Sequence, residues 1–262
     1  MQVKQLCQLK GWVFWKNRIN NFCPTAYNNG VEEITITQNG FDSRYMSYLF
    51  GRVKERFSFL PAEFEMKNEG EQTAIALKAE RAYCPYIRRF TEENLAEVIA
   101  VGYKYTYFKE RLHLPLLSDE KKRLLITALV GADFREDKAY ALRRFRGNEN
   151  YCLDGVYHFR LRELISRWQE IVEYVPVSMG ESSLNGFLEF LSEDGTGKLF
   201  IKDGKVYDEE YRILRKSALT GKETVIGEII LSGAERVYCF GETDKATAVF
   251  LKKYYGAKAV FC

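Results

Sequence analysis

The 262-residue sequence contains only two histidines, His113 and His158. Any mechanism built on an imidazole base would have to use one of them. His113 stands before a Leu-Pro break and His158 lies inside a helical stretch, positions that a structural histidine explains as well as a reacting one. No HExxH motif or poised pair of carboxylates is present. The six cysteines, Cys7, Cys23, Cys84, Cys152, Cys239 and Cys262, are scattered without a CxxC pair. That pattern argues against a zinc site or a disulfide framework and for reduced, buried thiols. Gly241 follows a strand-like run and precedes a helical one, but a single glycine falls short of a P-loop or dinucleotide fingerprint. The expectation is therefore no catalytic constellation, no metal and no cofactor, and a chain that leans away from enzymatic activity.

Long apolar runs are also missing. No segment approaches the 18 or more apolar residues of a membrane-spanning helix, so no membrane span is expected. MQVKQLCQLKGWVFWKNR, at the start, has neither a continuous apolar core nor a small-residue cleavage site, which predicts no secretory signal and a cytoplasmic location. Charge of one sign is scarce as well. The 39 basic residues barely exceed the 36 acidic ones, so the chain has no overall field for nucleic acid, and such binding would need a local patch. There is no tandem repeat or low-complexity tract.

What is present is a globular composition, 46% hydrophobic and 29% charged, in a chain long enough for one large domain or two small ones. The 17 tyrosines and 18 phenylalanines predict aromatic cores or an aromatic surface. The most regular stretch is Tyr151 to Val175. Leu161, Leu164, Ile165, Trp168, Ile171, Val172 and Val175 fall on one stripe of a 3.6-residue helix, while Arg160, Arg162, Glu163, Arg167, Glu170 and Glu173 occupy the other. Glu163 and Arg167 are spaced for an acid-before-base pair. Asp154 is placed to cap the start and Pro176 to stop the helix.

The segment LDGVYHFRLRELISRWQEIV resembles the signature of the YtxC-like family of sporulation proteins. Gly155, Phe159, Arg160, Leu161 and Arg162 carry the resemblance. It extends through SDEKKRLLITALVGADF, DGKVYDEEY and IGEIILSGAERVYCFGE, about half the chain in all. The family's activity is unassigned, so the resemblance implies a context, sporulation in endospore-forming bacteria, rather than a reaction. Two departures stand out. Family members have a longer helical segment after the signature helix, where this chain has only LNGFLEFL before turning. Members also end in a cysteine cluster, of which this chain has Cys262 alone, and one thiol cannot assemble a closed zinc site.

In chain order, a short amphipathic piece precedes breaks at Cys23-Pro24 and Asn28-Asn29-Gly30. Val31 to Gln38 then alternates as a strand. A helix capped by Asp42 or Ser43 places Tyr45, Leu49, Val53 and Phe57 four apart, with Pro61 closing it. Phe64 to Cys84 reads as a hairpin or as a strand and a helix. A helix is expected from Thr91, with an approximate capping box to Asn94, another from Ser118 to a stop at Gly131, and a short one from Lys138 to Arg146. The glycine-rich stretch 177–222 predicts turns and a hairpin around Asp203-Gly204. Glu235 to Phe240, Thr243 to Tyr255 and Lys258 to Phe261 then read as strand, helix, strand, the crossover that parallel strands need.

The expected fold is α+β: an N-terminal strand and helix unit (1–90), a helical region carrying the signature (91–176), and a C-terminal region (177–262) whose strand-helix-strand completes a mixed sheet. The three are expected to form one unit.

The densest basic cluster is Arg143, Arg144 and Arg146 around Phe145, with Arg160 and Arg162 close by in sequence, and His158 is a further candidate contact. A solvated helix face, with arginines paired to Glu149, Asp154 or Glu163, explains the same residues. Arg160 is the residue singled out, because its guanidinium can make a planar, bidentate contact that lysine cannot. That contact could be internal, to an acidic group of the C-terminal region, or external, to a partner. The favoured reading is a non-catalytic protein-interaction factor with an unidentified protein partner. Nucleic-acid binding through the Arg143–Arg162 segment, or an enzyme of unrecognised type, are the alternatives.

Overall fold

The computed structural model describes residues 30–40 and 43–262. The expected N-terminal amphipathic piece, the breaks at Cys23-Pro24 and Asn28-Asn29, Cys7, Cys23 and the cap at Asp42 lie outside the described residues.

Strand β1 (Val31–Asn39) buries Ile34 and Ile36 on one face and leaves Thr35 and Thr37 on the other, as alternation predicts. Helix α1 (Arg44–Phe57) buries Tyr45, Leu49, Val53 and Phe57, together with Met46. The stretch left open by the sequence is a hairpin, β2 (Ala62–Glu69) and β3 (Gln72–Glu80). β3 pairs antiparallel with β1, setting Ile75 opposite Ile36 and Leu77 opposite Ile34. A two-residue strand, β4 (Tyr151–Cys152), adds in parallel on the other side of β1, giving the order β2-β3-β1-β4.

Behind this sheet runs a long helical rod: α2 (Cys84–Glu97), a π-helical segment (Val98–Tyr103) and α3 (Lys104–Arg111). The expected start at Thr91 is corrected to Cys84. Pro85 occupies the first turn, where its missing N–H has no partner to lose. Thr91 is fully buried in mid-helix, and Glu92 accepts a hydrogen bond from Tyr151 Oη at 2.8 Å instead of facing the helix end. Tyr45 crosses the π-helical segment, its hydroxyl donating to the Gly102 carbonyl at 2.9 Å. A Cβ on Gly102 would stand 2.5 Å from Tyr45 Cε1, so only glycine fits this approach.

Helix α4 (Asp119–Ala132) begins as expected, with the Ser118 side chain accepting from the Lys121 N–H. It continues through Gly131 rather than stopping there. Helix α5 (Phe134–Phe145) starts four residues earlier than expected.

The organising stretch is two helices, α6 (Leu153–Arg160) and α7 (Arg162–Tyr174), where one was expected. The backbone leaves helical geometry at Leu161 (φ −111°, ψ 22°), and the fully buried Leu161 side chain anchors the joint in the core. Asp154 does not cap the helix. Its carboxylate accepts from the Asn39 N–H at 2.6 Å and from Tyr103 Oη at 2.9 Å, tying α6 to β1 and to the rod.

Helix α8 (Glu181–Glu193) fills part of the stretch read as turns. Strands β5 (Lys198–Lys202) and β6 (Lys205–Tyr207) form the expected hairpin, with Asp203 and Gly204 both at positive φ (51° and 69°), as a type I′ turn requires. Helix α9 (Val225–Ser232), β7 (Arg236–Phe240), α10 (Lys245–Tyr254) and β8 (Ala259–Phe261) follow. β7 and β8 are parallel neighbours, as a helical crossover demands. The fold is α+β, and the C-terminal strand-helix-strand completes a mixed sheet. That sheet, ordered β6-β5-β7-β8, is distinct from the N-terminal one.

Two ion pairs of opposite polarity fix α5 against the rod. Lys104 Nζ lies 2.7 Å from Asp137 Oδ2, and Lys138 Nζ donates to Glu97 Oε2 at 2.9 Å. Lys104 has no exposed surface, and Asp137 almost none. Asp137 Oδ2 also accepts from the indole of Trp168 on α7 at 2.9 Å. Lys104 Nζ also donates to Asp133 Oδ2 at 3.2 Å, but that carboxylate is partly exposed. Asp137→Ala removes the closer, buried partner of a buried ammonium and the acceptor of the Trp168 indole, so it should destabilise the fold by about 3 kcal/mol in urea titration. The double variant Lys104→Met/Asp137→Ala should lose less than the single one, because no buried ammonium remains and Asp133 is left partly in water. A single-variant loss below about 1 kcal/mol, the net worth of an ordinary hydrogen bond, would contradict this account.

Candidate functional site

Where α5 meets α6 and α7, the arginines that cluster in sequence come together in space. Two adjoining shallow grooves of about 530 and 540 Å³ lie there. Glu136, Ala139, Tyr140, Arg143, Glu163 and Arg167 line one. The other shares Tyr140, Arg143 and Glu163 and adds Arg144, Arg146, Phe159, Arg160 and Arg162. Five of the six expected binding residues are thus neighbours. His158 is not among them: its exposed ring meets Tyr157 edge-on at 5.0 Å and lines neither groove.

The signature residues divide by role. Gly155 and Leu161 shape the backbone, Gly155 because a Cβ would meet Cys152 Sγ at 3.2 Å, Leu161 as the buried joint. Phe159, 73% exposed, and Arg160 face the groove. Arg160 does not reach an acidic group of the C-terminal region. Its Nη1 donates to Asn148 Oδ1 at 2.8 Å, and Asn148 is held in turn by donating to the Phe145 carbonyl at 2.8 Å. The contact is to a neutral amide on an exposed side chain, so the internal, buried ion pair is excluded.

Tyr140 organises the groove. The guanidinium carbons of Arg143, Arg144 and Arg167 lie 5.6, 5.0 and 5.3 Å from its ring centroid, within cation–π range. Tyr140 Oη accepts from Arg144 Nη2 at 2.9 Å and donates to Glu163 Oε2 at 2.7 Å. Glu163 also faces Arg144 at 3.7 Å, and Arg167 sits 3.8 Å from Asp137. The expected Glu163–Arg167 helix pair is therefore replaced by two cross-helix contacts, because the partners on α5 are closer to both groups. Among the described residues, the side chains of Arg146 and Arg162 make neither an ion pair nor a hydrogen bond. The surface offers guanidinium N–H donors in planar pairs, the chemistry that receives carboxylates and phosphates. Among the described residues, no serine, threonine, cysteine, lysine or histidine lines either groove. Tyr140 and Arg167 were not singled out from sequence, although Tyr140 precedes Arg143 and Arg144 at helical-neighbour spacing.

A second set of titratable groups is buried. Tyr48 on α1 donates to Glu97 at 2.5 Å, Lys138 bonds to the same carboxylate, and Glu228 on α9 accepts from the Ser217 N–H at 2.5 Å. Burial pushes the Glu228 carboxyl up and the Lys216 ammonium down. Burial also opposes ionisation of Glu97, but the charges of Lys138 and Lys216 and the bonds from Lys138 and Tyr48 outweigh it and hold the carboxyl at about 2. Perturbed groups often mark active sites, yet none of these residues lines either groove. They brace α1, the rod, α5 and α9 against one another. Among the described residues no group of three or more His, Cys, Asp or Glu side chains is placed to hold a metal ion. No helix there is long and apolar enough to cross a membrane.

Glu97 gives the brace a pH signature. Its folded-state value lies below its ordinary 4.5, so the ionised pair stabilises fully above pH 4.5 and the contribution disappears as pH falls towards 2. Glu97→Gln should flatten the dependence of the urea midpoint on pH in that window; an unchanged slope would show that Glu97 titrates normally. Comparison with known proteins adds no assignment: no family model matches the chain, and neither does any curated protein or solved structure.

Proposed function

We propose that the chain is a non-catalytic, cytoplasmic protein-interaction factor that acts in sporulation and receives an acidic segment of a partner protein in the groove between α5 and α7. The observation that carries this reading is the surplus of guanidinium donors. Arg146 and Arg162 line the groove without a partner among the described residues. Glu163 displays the contact on offer, a carboxylate engaged by Tyr140 and faced by Arg144. Stacking of bases suits this groove less well, since the Tyr140 ring is already attended by three guanidiniums. The sporulation context rests on the YtxC-like resemblance of the segment from Leu153 to Val172.

The reading is tested by titrating a fluorescent, Asp/Glu-rich peptide into the full chain. Binding should weaken as salt is raised, because the donors are exposed. Hydrogen bonds to charged groups contribute about 1.5–3 kcal/mol, so Arg143→Ala/Arg162→Ala should weaken the peptide about tenfold or more at an unchanged melting temperature. Equal affinity for the variant would reject the groove as the acceptor.

A further inference from the structure

The second sheet carries a face that the arginine groove does not use. Leu199, Ile201, Val206, Val237 and Cys239 turn into the core, so the alternate positions of β5, β6 and β7 point outward. Strand register sorts those positions into rows. Phe200 stands beside Tyr207 of β6 and Tyr238 of β7, its ring 5.6 Å from that of Tyr238 and 28° from parallel. On one side of this aromatic row Lys198 is paired with Arg236, and on the other Lys202 lies between Lys205 and Phe240. None of these outward strand positions holds a carboxylate. Lys198, Lys202 and Lys205 have no ion-pair partner among the described residues.

The loop after β6 adds a further ring. Tyr211 is 64% exposed and stacks on Phe200, centroids 4.8 Å apart and 13° from parallel. It does so at φ 57°, a left-handed conformation that is unfavourable for a tyrosine. Asp208 holds the loop in that shape, its carboxylate accepting from the backbone N–H groups of Glu210 and Arg212 and from Arg212 Nε. The ring is therefore placed on the face rather than loosely attached to it.

Flat rings framed by cations are complementary to a ligand in which flat rings alternate with negative charge. We propose that the outward face of this sheet binds single-stranded nucleic acid, with bases stacking on Tyr211, Tyr238 and Phe240 around the Tyr211-covered Phe200 and phosphates meeting the flanking lysines and Arg236. Duplex DNA hides its base faces and cannot use the rings. An acidic peptide satisfies the cations and leaves the rings unmatched. The first 29 residues of the chain carry four cations and no carboxylate, so their charge does not match this face.

Fluorescence anisotropy of labelled oligo(dT) and oligo(U) with the full chain tests the proposal. The expected result is binding of both, with a log–log salt slope of about −3 if four cations release counterions. Tyr211→Gly/Phe240→Ala should weaken it about tenfold or more, and the glycine relieves rather than strains the loop at position 211. Lys202→Glu/Lys205→Glu should make the salt slope shallower by at least about 1. Arg143→Ala/Arg162→Ala should bind as the unaltered chain does, which separates this face from the groove. The proposal is overturned by absence of binding, by binding that survives loss of the two rings, or by loss confined to the groove variant. Equal affinity for a duplex, or full competition by an Asp/Glu-rich peptide at this face, would overturn it as well.

Discussion

A lysine with no surface in contact with water needs carboxylates beside it, and for Lys104 the buried one is Asp137, with the partly exposed Asp133 as a second. The same side chain accepts the indole proton of Trp168 and lies within reach of Arg167. One residue of α5 is thus bound both to the rod and to α7. The next residue, Lys138, reaches the other way to Glu97, seven positions earlier on the rod than Lys104. Paired charges of opposite polarity admit a single register, since a shift of α5 by one turn would set unpaired charges in the core. The spacing between α5 and α7 follows, and with it the width of the groove that Tyr140, Arg143, Glu163 and Arg167 line.

Much of this architecture can be read from local pattern. The alternation at Ile34 and Ile36, the Ser118 cap, the Asp203-Gly204 turn and the terminal strand-helix-strand each depend on residues close in sequence, and each forms where expected. What local pattern misses depends on distant partners. The helix that begins at Cys84 hides its start because Thr91, Glu92 and Glu93 imitate a first turn, and only burial of Thr91 and the bond from Tyr151 to Glu92 show otherwise. Asp154 looks like a cap but is drawn away by Asn39 and Tyr103, both more than 50 positions distant. Helix α9 is too uniformly apolar to show a period. The joint at Leu161 interrupts a stripe that continues in phase, so periodicity alone joins the two helices.

The candidate site divides along the same line. Arginine density is a local property, and the five arginines it picks out are neighbours in space. Glu163 was expected to pair with Arg167 on its own helix, and only the packing of α5 against α7 redirects both. The aromatic sheet face has a plain local signal in KLFIK and RVYCF, where apolar core residues alternate with Phe200 and Tyr238. That signal acquires meaning once strand register sets the two rings side by side. The two surfaces share no residue, so each can be altered without touching the other.

The central claim, that buried Asp137 fixes α7 on α5 and thereby shapes the groove, is most directly tested at the proton it accepts. Hydrogen exchange of the Trp168 indole N–H, assigned by its loss in Trp168→Phe, reports on that bond in solution. The account predicts exchange only through global unfolding, at a rate that follows overall stability as urea is added. Rapid exchange insensitive to urea would place Trp168 in contact with water and remove the bond on which the groove depends.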